Sequence, residues 1–163
     1  AMGTRFLMTT DSKIPMATLE RYLQTKDADK IKVSHLVDGM PQRMIDNEYM
    51  QMLEKSSAFK RLMIAVQAAL QWKAQTGMTM SHAMGVVLQA FKEDPSTVAQ
   101  TVMASNAPIL LQKSMVEGKP AEGVMSSGQV AALIAKLESC EEVIDGIMRQ
   151  ALERKAYINS LGA

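Results

Sequence analysis

The apolar positions of this chain recur mostly three and four residues apart, which is the spacing of one face of an α-helix. This spacing, together with capping and stop residues, predicts helices over residues 14–24, 43–55, 58–76, 81–91, 95–106, 108–116, 129–136 and 140–159. The most regular of them ends at Gly77, and the last begins with a capping box formed by Ser139 and Glu142. The sequence therefore predicts a mainly helical chain.

Two stretches do not follow helical spacing. Ile31–Ser34 alternates apolar and polar residues, which predicts a short extended segment, and Asp38-Gly39-Met40-Pro41 is a turn sequence. At the beginning of the chain, Ala1-Met2-Gly3-Thr4-Arg5-Phe6-Leu7 predicts the tip of a buried strand. A lone strand would leave both of its edges unpaired, so we expect further strands to precede Ala1.

Composition limits the classes of protein to consider. The 163 residues suit one domain, and a net charge of +1 gives no electrostatic reason to expect nucleic acid or an anionic membrane as a partner. No apolar run approaches the roughly 20 residues of a membrane span. The single cysteine fits a reducing compartment, so we expect a cytoplasmic protein. Most of the 15 methionines are expected in the core, and the rest in the walls of a deformable apolar pocket.

No motif for catalysis or metal binding is found. His35 and His82 both lack a His or Cys partner at metal-ligand spacing, so neither is assigned a catalytic or ligating role. Cys140 is expected in the first turn of the last helix, where the helix dipole would lower its pKa, but Glu141 and Glu142 beside it oppose that effect. We therefore expect Cys140 to be an inert thiol.

Three polar stretches remain as candidates for binding. Gly3-Thr4 at a strand end could present backbone N–H groups to a phosphate, or could be an ordinary turn. Arg43 could orient an anion, or could tie down the turn that precedes it. Gly128-Gln129 at a helix start could contact an anion or a carbonyl group, or could be purely structural.

Considered together, these stretches resemble one family, the nitronate monooxygenases and their relatives, the FMN-dependent enoyl-acyl-carrier-protein reductases. The opening seven residues are similar to the end of that family's eighth barrel strand. Gly123-Val124-Met125-Ser126-Ser127-Gly128-Gln129-Val130 is similar to the later segment in which a Gly-Gln opens the returning barrel helix. Asp38-Gly39-Met40-Pro41-Gln42-Arg43 and Ser105-Asn106-Ala107-Pro108 are similar to further landmarks of the family.

The resemblance implies that this chain is the C-terminal part of an FMN-binding (β/α)₈ TIM barrel. Residues 1–9 would end the last strand, residues 10–121 would form a helical lid over the flavin, and residues 122–163 would return to supply the last barrel helix. The implied FMN contacts are Ala1, Met2, Gly3 and Thr4. The implied residues of the substrate pocket are Met125, Gly128 and Gln129.

The resemblance also implies what this chain lacks. The family's catalytic histidine and its phosphate-binding glycine loop are not found here, and neither His35 nor His82 matches the catalytic position. No catalytic residue is therefore assigned, and the chain by itself is expected to be inactive and to bind FMN weakly.

The implied function is the flavin-dependent oxidation of nitronates or nitroalkanes, with FMN as cofactor and NAD(P)H as a candidate reductant. The alternative within the family is FMN-dependent reduction of an enoyl thioester. Both imply a small apolar substrate and the remainder of the barrel as partner, and a homodimer is left open.

A stand-alone helical interaction module is the alternative from another class. The last helix distinguishes the two hypotheses, because a barrel part would expose an apolar face along Val143, Ile144, Ile147 and Met148.

Overall fold

The computed structural model describes residues 2–77, 81, 85 and 106–161, and these residues are mainly helical. The helices are α1 (Gly3–Leu7), α2 (Met16–Gln24), α3 (Glu48–Glu54), α4 (Ala58–Thr76), α5 (Asn106–Met115) and α6 (Cys140–Leu161). Short 3₁₀ helices cover Ala28–Lys30 and Gln129–Leu133. In this part of the chain, no helix combines the length and the apolar character that crossing a membrane requires. The helices predicted over residues 81–91 and 95–106, with His82, lie almost wholly outside the described residues.

Two short strands form an antiparallel pair at the centre of the described structure. Strand β1 (Ile31–Ser34) pairs with β2 (Gln42–Ile45), so that Val33 lies opposite Arg43. The turn between them follows the predicted Asp38–Pro41 sequence, and Gly39 has the positive φ of 82° that favours glycine. The extended segment predicted at Ile31–Ser34 is thus confirmed.

The second edge of β2 is also paired, with a segment from much later in the sequence. The Ile45 N–H donates to the Met125 carbonyl at 3.0 Å, and the Ser127 N–H donates to the Arg43 carbonyl at 3.0 Å. Met44 and Ser126 form an antiparallel bridge between these two bonds. Strand β2 is therefore held along both edges, once by its neighbour in sequence and once by residues about eighty positions away.

The paired strands separate two hydrophobic clusters. The first core cluster consists of Met8, Tyr22, Ile31, Ile45, Met125, Ala131 and Ile134. The second core cluster consists of Val37, Met44, Met50, Leu53, Leu110 and Val124. Successive side chains of a strand point to opposite faces, which explains why Met44 and Ile45 belong to different clusters. The same alternation assigns Val124 and Met125 to opposite sides.

The strand predicted at the beginning of the chain is wrong for Gly3–Leu7, which form helix α1. A helical turn satisfies its backbone groups within the segment, as in the 3.1 Å bond from the Met8 N–H to the Thr4 carbonyl. An isolated strand would need partners on both edges. Extended pairing begins only afterwards, at the parallel bridge between Thr9 and Glu138.

The helix predicted over residues 43–55 is wrong in its first part. Residues Gln42–Ile45 form β2, and the helix begins only after Asn47, whose side chain caps α3. Long-range pairing on both edges of β2 outweighs the local helical spacing of Met44, Ile45, Met52 and Leu53. The helix predicted over residues 129–136 is a shorter 3₁₀ helix.

Several helix boundaries are confirmed. Ser57 caps α4, and Gly77 ends it in the left-handed conformation. At the start of α6, the Glu142 N–H donates to the Ser139 hydroxyl at 3.1 Å, and the Ser139 N–H donates to the Glu142 carboxylate at 2.7 Å. These bonds hold the pKa of Glu142 below its usual value. The capping box was readable from sequence because all of its partners are local.

Several apolar residues of α4 and most of those on α6 are exposed among the described side chains, and on α6 this is the exposed face expected of a barrel part. On α4 the exposed residues include Phe59, Met63, Val66 and Leu70. On α6, which is described over its whole length, only Val143 is buried, while Ile144, Ile147, Met148 and Leu152 are exposed. Helical spacing identified these faces correctly as apolar, but it does not say what covers them.

Asn47 joins the helical part of the fold to the segment that pairs with β2. Its carboxamide oxygen accepts the Met50 N–H at 3.0 Å as the cap of α3. Its amide nitrogen donates to the carbonyl of Gly123 at 2.8 Å and to that of Pro120 at 2.6 Å. Asn47 and Gly123 are buried, so removing the amide would leave at least the Gly123 carbonyl without a donor and shielded from water.

We expect Asn47→Ala to lower the free energy of unfolding by roughly 2–5 kcal/mol, since it removes a helix cap and leaves two carbonyls without a donor. Asn47→Asp keeps the capping oxygen but loses both donors, and we expect it to be nearly as destabilising. Urea unfolding provides the measurement. Ser57→Ala, which removes only an exposed cap, is the control and should cost about 1 kcal/mol. An Asn47→Asp variant as stable as the wild type would contradict the donor role.

Candidate functional site

A groove at the beginning of β2 brings together residues from three distant parts of the sequence. This cavity has a volume of about 460 Å³, and we call it the phosphate groove after the phosphate contact predicted for Gly3-Thr4. Its lining residues are Gly3, Thr4, Leu7, Gln42, Arg43, Ser126 and Ser127. The first three come from α1, the next two from β2, and the serines from the segment paired with β2. All three parts were candidate stretches in the sequence.

A direct hydrogen bond fixes the α1 side of the phosphate groove. The Gly128 N–H donates to the Thr4 hydroxyl oxygen at 2.8 Å. A Cβ at position 128 would lie 3.2 Å from that oxygen, so a larger residue would crowd the contact. The predicted cofactor residue Thr4 and the predicted pocket residue Gly128 are therefore in contact, although 124 positions separate them.

The floor of the phosphate groove is supported from the core by Tyr22. Its hydroxyl donates to the Ser126 carbonyl at 2.6 Å. Burial raises the pKa of Tyr22 well above its ordinary value, so the phenol stays protonated and remains a donor at neutral pH. The neighbouring Ser127 hydroxyl donates to the Gly128 carbonyl at 2.9 Å, which leaves it engaged within the floor.

The phosphate groove carries a cation without a counter-charge. Arg43 is exposed, and within the described ranges its guanidinium has neither an ion-pair nor a hydrogen-bond partner. The turn before it is held by other groups. The Asp38 carboxylate accepts from the Gln42 side-chain amide and from the Met40 N–H, and the Gly39 N–H donates to the His35 carbonyl. Arg43 is thus not what ties down the turn.

These residues fit the phosphate end of a flavin mononucleotide. Within the described part of the chain, nothing lies within 4 Å of the position that a Cβ would take on Gly3, so a ligand can approach the backbone there. The Thr4 oxygen accepts from Gly128, which leaves its own O–H free to donate outward. Arg43 adds the positive charge that a phosphate dianion requires.

The other residues singled out in the sequence lie elsewhere. Met2 is exposed at the start of α1, and Ala1 lies outside the described residues. Met125 is completely buried in the first core cluster, and its role in lining a substrate pocket stays a prediction. Gln129 is exposed at the start of its 3₁₀ helix.

His35 and Cys140 both have partners outside the phosphate groove. The Nδ1 atom of His35 lies 3.4 Å from the Gly39 carbonyl, at the turn between the strands. The Cys140 Sγ atom lies 3.7 Å from the Thr9 hydroxyl, and its N–H donates to Asp11 at 2.6 Å. Neither side chain lines the phosphate groove.

Sequence reasoning missed part of the phosphate groove. Gln42, Ser126 and Ser127 were quoted only as members of longer motifs, and Leu7 only as part of a strand. Gln42 is adjacent in sequence to Arg43, and Ser126 and Ser127 directly precede Gly128. This adjacency was the signal that could have identified them. What could not be read from the sequence was that these two motifs pair edge to edge.

The comparison with protein families covers all of the motifs that line the phosphate groove. The family model described as nitronate monooxygenase matches residues 1–150. The chain belongs to the nitronate monooxygenase family. The match spans all three parts of the phosphate groove, so the resemblance seen in separate motifs extends over nearly the whole chain.

Two curated relatives of this family member carry the same name, (3aS,4S,5R,7aS)-5-hydroxy-7a-methyl-1-oxo-octahydro-1H-indene-4-carboxyl-CoA dehydrogenase. The protein from Rhodococcus jostii (strain RHA1) is 39% identical over 163 residues, which cover 100% of this chain and 45% of the relative. The protein from Mycobacterium tuberculosis (strain ATCC 25618 / H37Rv) is 38% identical over 154 residues, which cover 93% of this chain and 42% of the relative. The chain thus spans less than half the length of these relatives. No solved structure matches it significantly.

We expect Thr4→Val to lower the free energy of unfolding by about 1–2 kcal/mol, because the half-buried Gly128 N–H then lacks its acceptor. Valine keeps the shape and the helix propensity of threonine, so the loss isolates the hydroxyl. Thr4→Ser retains the oxygen and serves as the matched control. Thermal or urea unfolding of both variants provides the measurement. Equal stability of the Val and Ser variants would show that the contact is dispensable.

Proposed function

We propose that this chain is part of an FMN-dependent oxidoreductase that acts on a coenzyme A thioester. The observation that carries the proposal is the convergence of Gly3-Thr4, Arg43 and Ser126-Ser127 on one groove in a member of the nitronate monooxygenase family. Family membership favours an oxidoreductase over a stand-alone interaction module, since the matched residues include those that form the groove.

Gly3 and Thr4 are the residues that would hold the phosphate of FMN. When bound, FMN supplies a two-electron donor or acceptor beside the substrate. The chain's own contribution is to position that group: Thr4 is fixed by Gly128, and the groove floor is fixed by Tyr22. Ala1 and Met2 stay predicted contacts.

The substrate class follows from the names of the relatives. Both are named as dehydrogenases of a bicyclic carboxyl-CoA, at 39% and 38% identity. A thioester substrate is also what the enoyl-thioester reductase alternative requires, although that reaction runs toward reduction. Dehydrogenation removes two electrons and two protons from the substrate, and NAD(P)⁺ is then the matching final acceptor. Nitronate oxidation is the competing proposal.

The complete flavin-loaded protein should therefore lose its oxidised-flavin absorbance when mixed anaerobically with the indene-carboxyl-CoA named for the relatives. A nitronate, such as that of 2-nitropropane, should leave the flavin oxidised. Recovery of the absorbance after NAD⁺ or NADP⁺ is added would identify the final acceptor. Rapid bleaching by the nitronate with none by the thioester would assign the protein to nitronate oxidation and overturn the thioester proposal.

The exposed face of α6 supports packing against the remainder of a (β/α)₈ barrel. Ile144, Ile147 and Met148 are 50%, 41% and 56% exposed, and Leu152 extends the same stripe. An apolar stripe of this length on a helix is costly in water and is normally covered. We propose that residues 122–163 supply the last barrel helix and that residues 10–121 form the lid.

Ile147→Ser in the complete protein should lower its thermal stability, since a buried isoleucine contributes about 1.5–3 kcal/mol. Glu153→Ser, which changes an exposed residue on the opposite side of α6, is the control and should have little effect. Differential scanning calorimetry would compare the two variants. Equal and small effects would mean that this face of α6 stays in water and that no barrel covers it.

A further inference from the structure

Arg43 is held in a fixed position at the phosphate groove. Its backbone lies in β2 opposite Val33, and its carbonyl accepts the Ser127 N–H at 3.0 Å. Because side chains alternate along a strand, Arg43 lies on the same face of β2 as Ile45, the face of the first core cluster. Leu7 of the groove packs against that same cluster. The guanidinium therefore extends from a rigid strand toward the side on which α1 lies.

The charge of Arg43 is not used by the fold of the described residues. Two other arginines of this structure are neutralised, Arg5 by Glu138 and Arg21 by Glu48. The acid closest in sequence on the turn side of Arg43 is Asp38, and its carboxylate already accepts from Gln42 and from the Met40 N–H. Arg43 is thus a cation on a paired strand, and its five donors find no acceptor among the described residues.

The opposite wall of the groove offers a complementary donor. The Thr4 oxygen accepts from the Gly128 N–H, so its O–H can donate to an acceptor outside that pair. A ligand between Thr4 and Arg43 would meet a hydroxyl donor on one side and a planar guanidinium on the other. Among the described residues, no carboxylate lines the groove. This arrangement selects a compact anion with several acceptor oxygens.

We propose that Arg43 is a phosphate-binding side chain and that its ligand is a phosphate monoester carried by FMN or by a coenzyme A thioester. The assignment rests on the proposed function, which supplies both sources of phosphate. FMN has one phosphate monoester at the end of its ribityl chain, and coenzyme A has one on its ribose. The guanidinium makes charge-assisted, bidentate hydrogen bonds to such a group, which a lysine ammonium does not reproduce.

The test compares ligands that differ by the phosphate alone. Dissociation constants of the complete protein are measured for FMN and riboflavin by flavin fluorescence, and for coenzyme A and 3′-dephospho-coenzyme A by calorimetry. Arg43→Ala should weaken one phosphate-bearing ligand about tenfold to a hundredfold and leave its phosphate-free counterpart unchanged. Arg43→Lys should restore part of the loss. Arg149→Ala, an exposed arginine of α6 outside the groove, is the matched control, and melting temperatures confirm folding.

The pattern of losses identifies the source of the phosphate. A loss confined to FMN assigns Arg43 to the cofactor, and a loss confined to coenzyme A assigns it to the substrate. Equal effects on the phosphate-bearing and phosphate-free ligands, or no effect on either pair, would overturn the assignment of Arg43 without contradicting the proposed function. A wild-type protein that binds neither FMN nor coenzyme A would overturn the proposed function together with it.

Discussion

The pairing of β2 along both of its edges is the interaction on which the rest of this structure depends. One edge is closed by β1, and the other by the bonds from Ile45 to Met125 and from Ser127 to Arg43. Because β2 separates two core clusters, it can bury Met44 on one side and Ile45 on the other. Losing the second edge would open both clusters and would also remove the serines from the phosphate groove.

The same constraint explains why the phosphate groove is rigid on its floor and open at its mouth. The Ser126 and Ser127 backbone is held by β2 and by the Tyr22 hydroxyl, whose pKa burial raises. Asn47 then anchors the carbonyls of Pro120 and Gly123 just before this segment. In contrast, Gly3 and Arg43 at the mouth are exposed. A preorganised backbone beneath exposed groups is the usual arrangement of a binding site.

The sequence predicted those features whose causes are local. The capping box of Ser139 and Glu142, the stop at Gly77 and the alternation of Ile31–Ser34 all depend on neighbours within a few residues, and all are confirmed. Strand β2 was mistaken for helix because stabilising partners of its second edge lie about eighty residues away. The individual motifs of the groove were found, but their edge-to-edge contact is a tertiary property that no local pattern encodes.

Gly3, Gly123 and Gly128 belong to the motifs that resemble the family, and their surroundings differ. A Cβ on Gly123 would lie 2.2 Å from the Leu110 carbonyl oxygen, so close packing against α5 explains that glycine completely. Gly128 is explained by its contact with Thr4, from which a Cβ would be 3.2 Å away. At Gly3, no atom of the described structure lies within 4 Å of the position that a Cβ would take, and the Gly3 backbone has no positive φ. Gly3 is the first residue of α1 and not part of its interior, and no contact among the described residues requires a glycine there. Under the proposed function, the open backbone of Gly3 and the charge of Arg43 line one groove, so a single bound phosphate would give both a role.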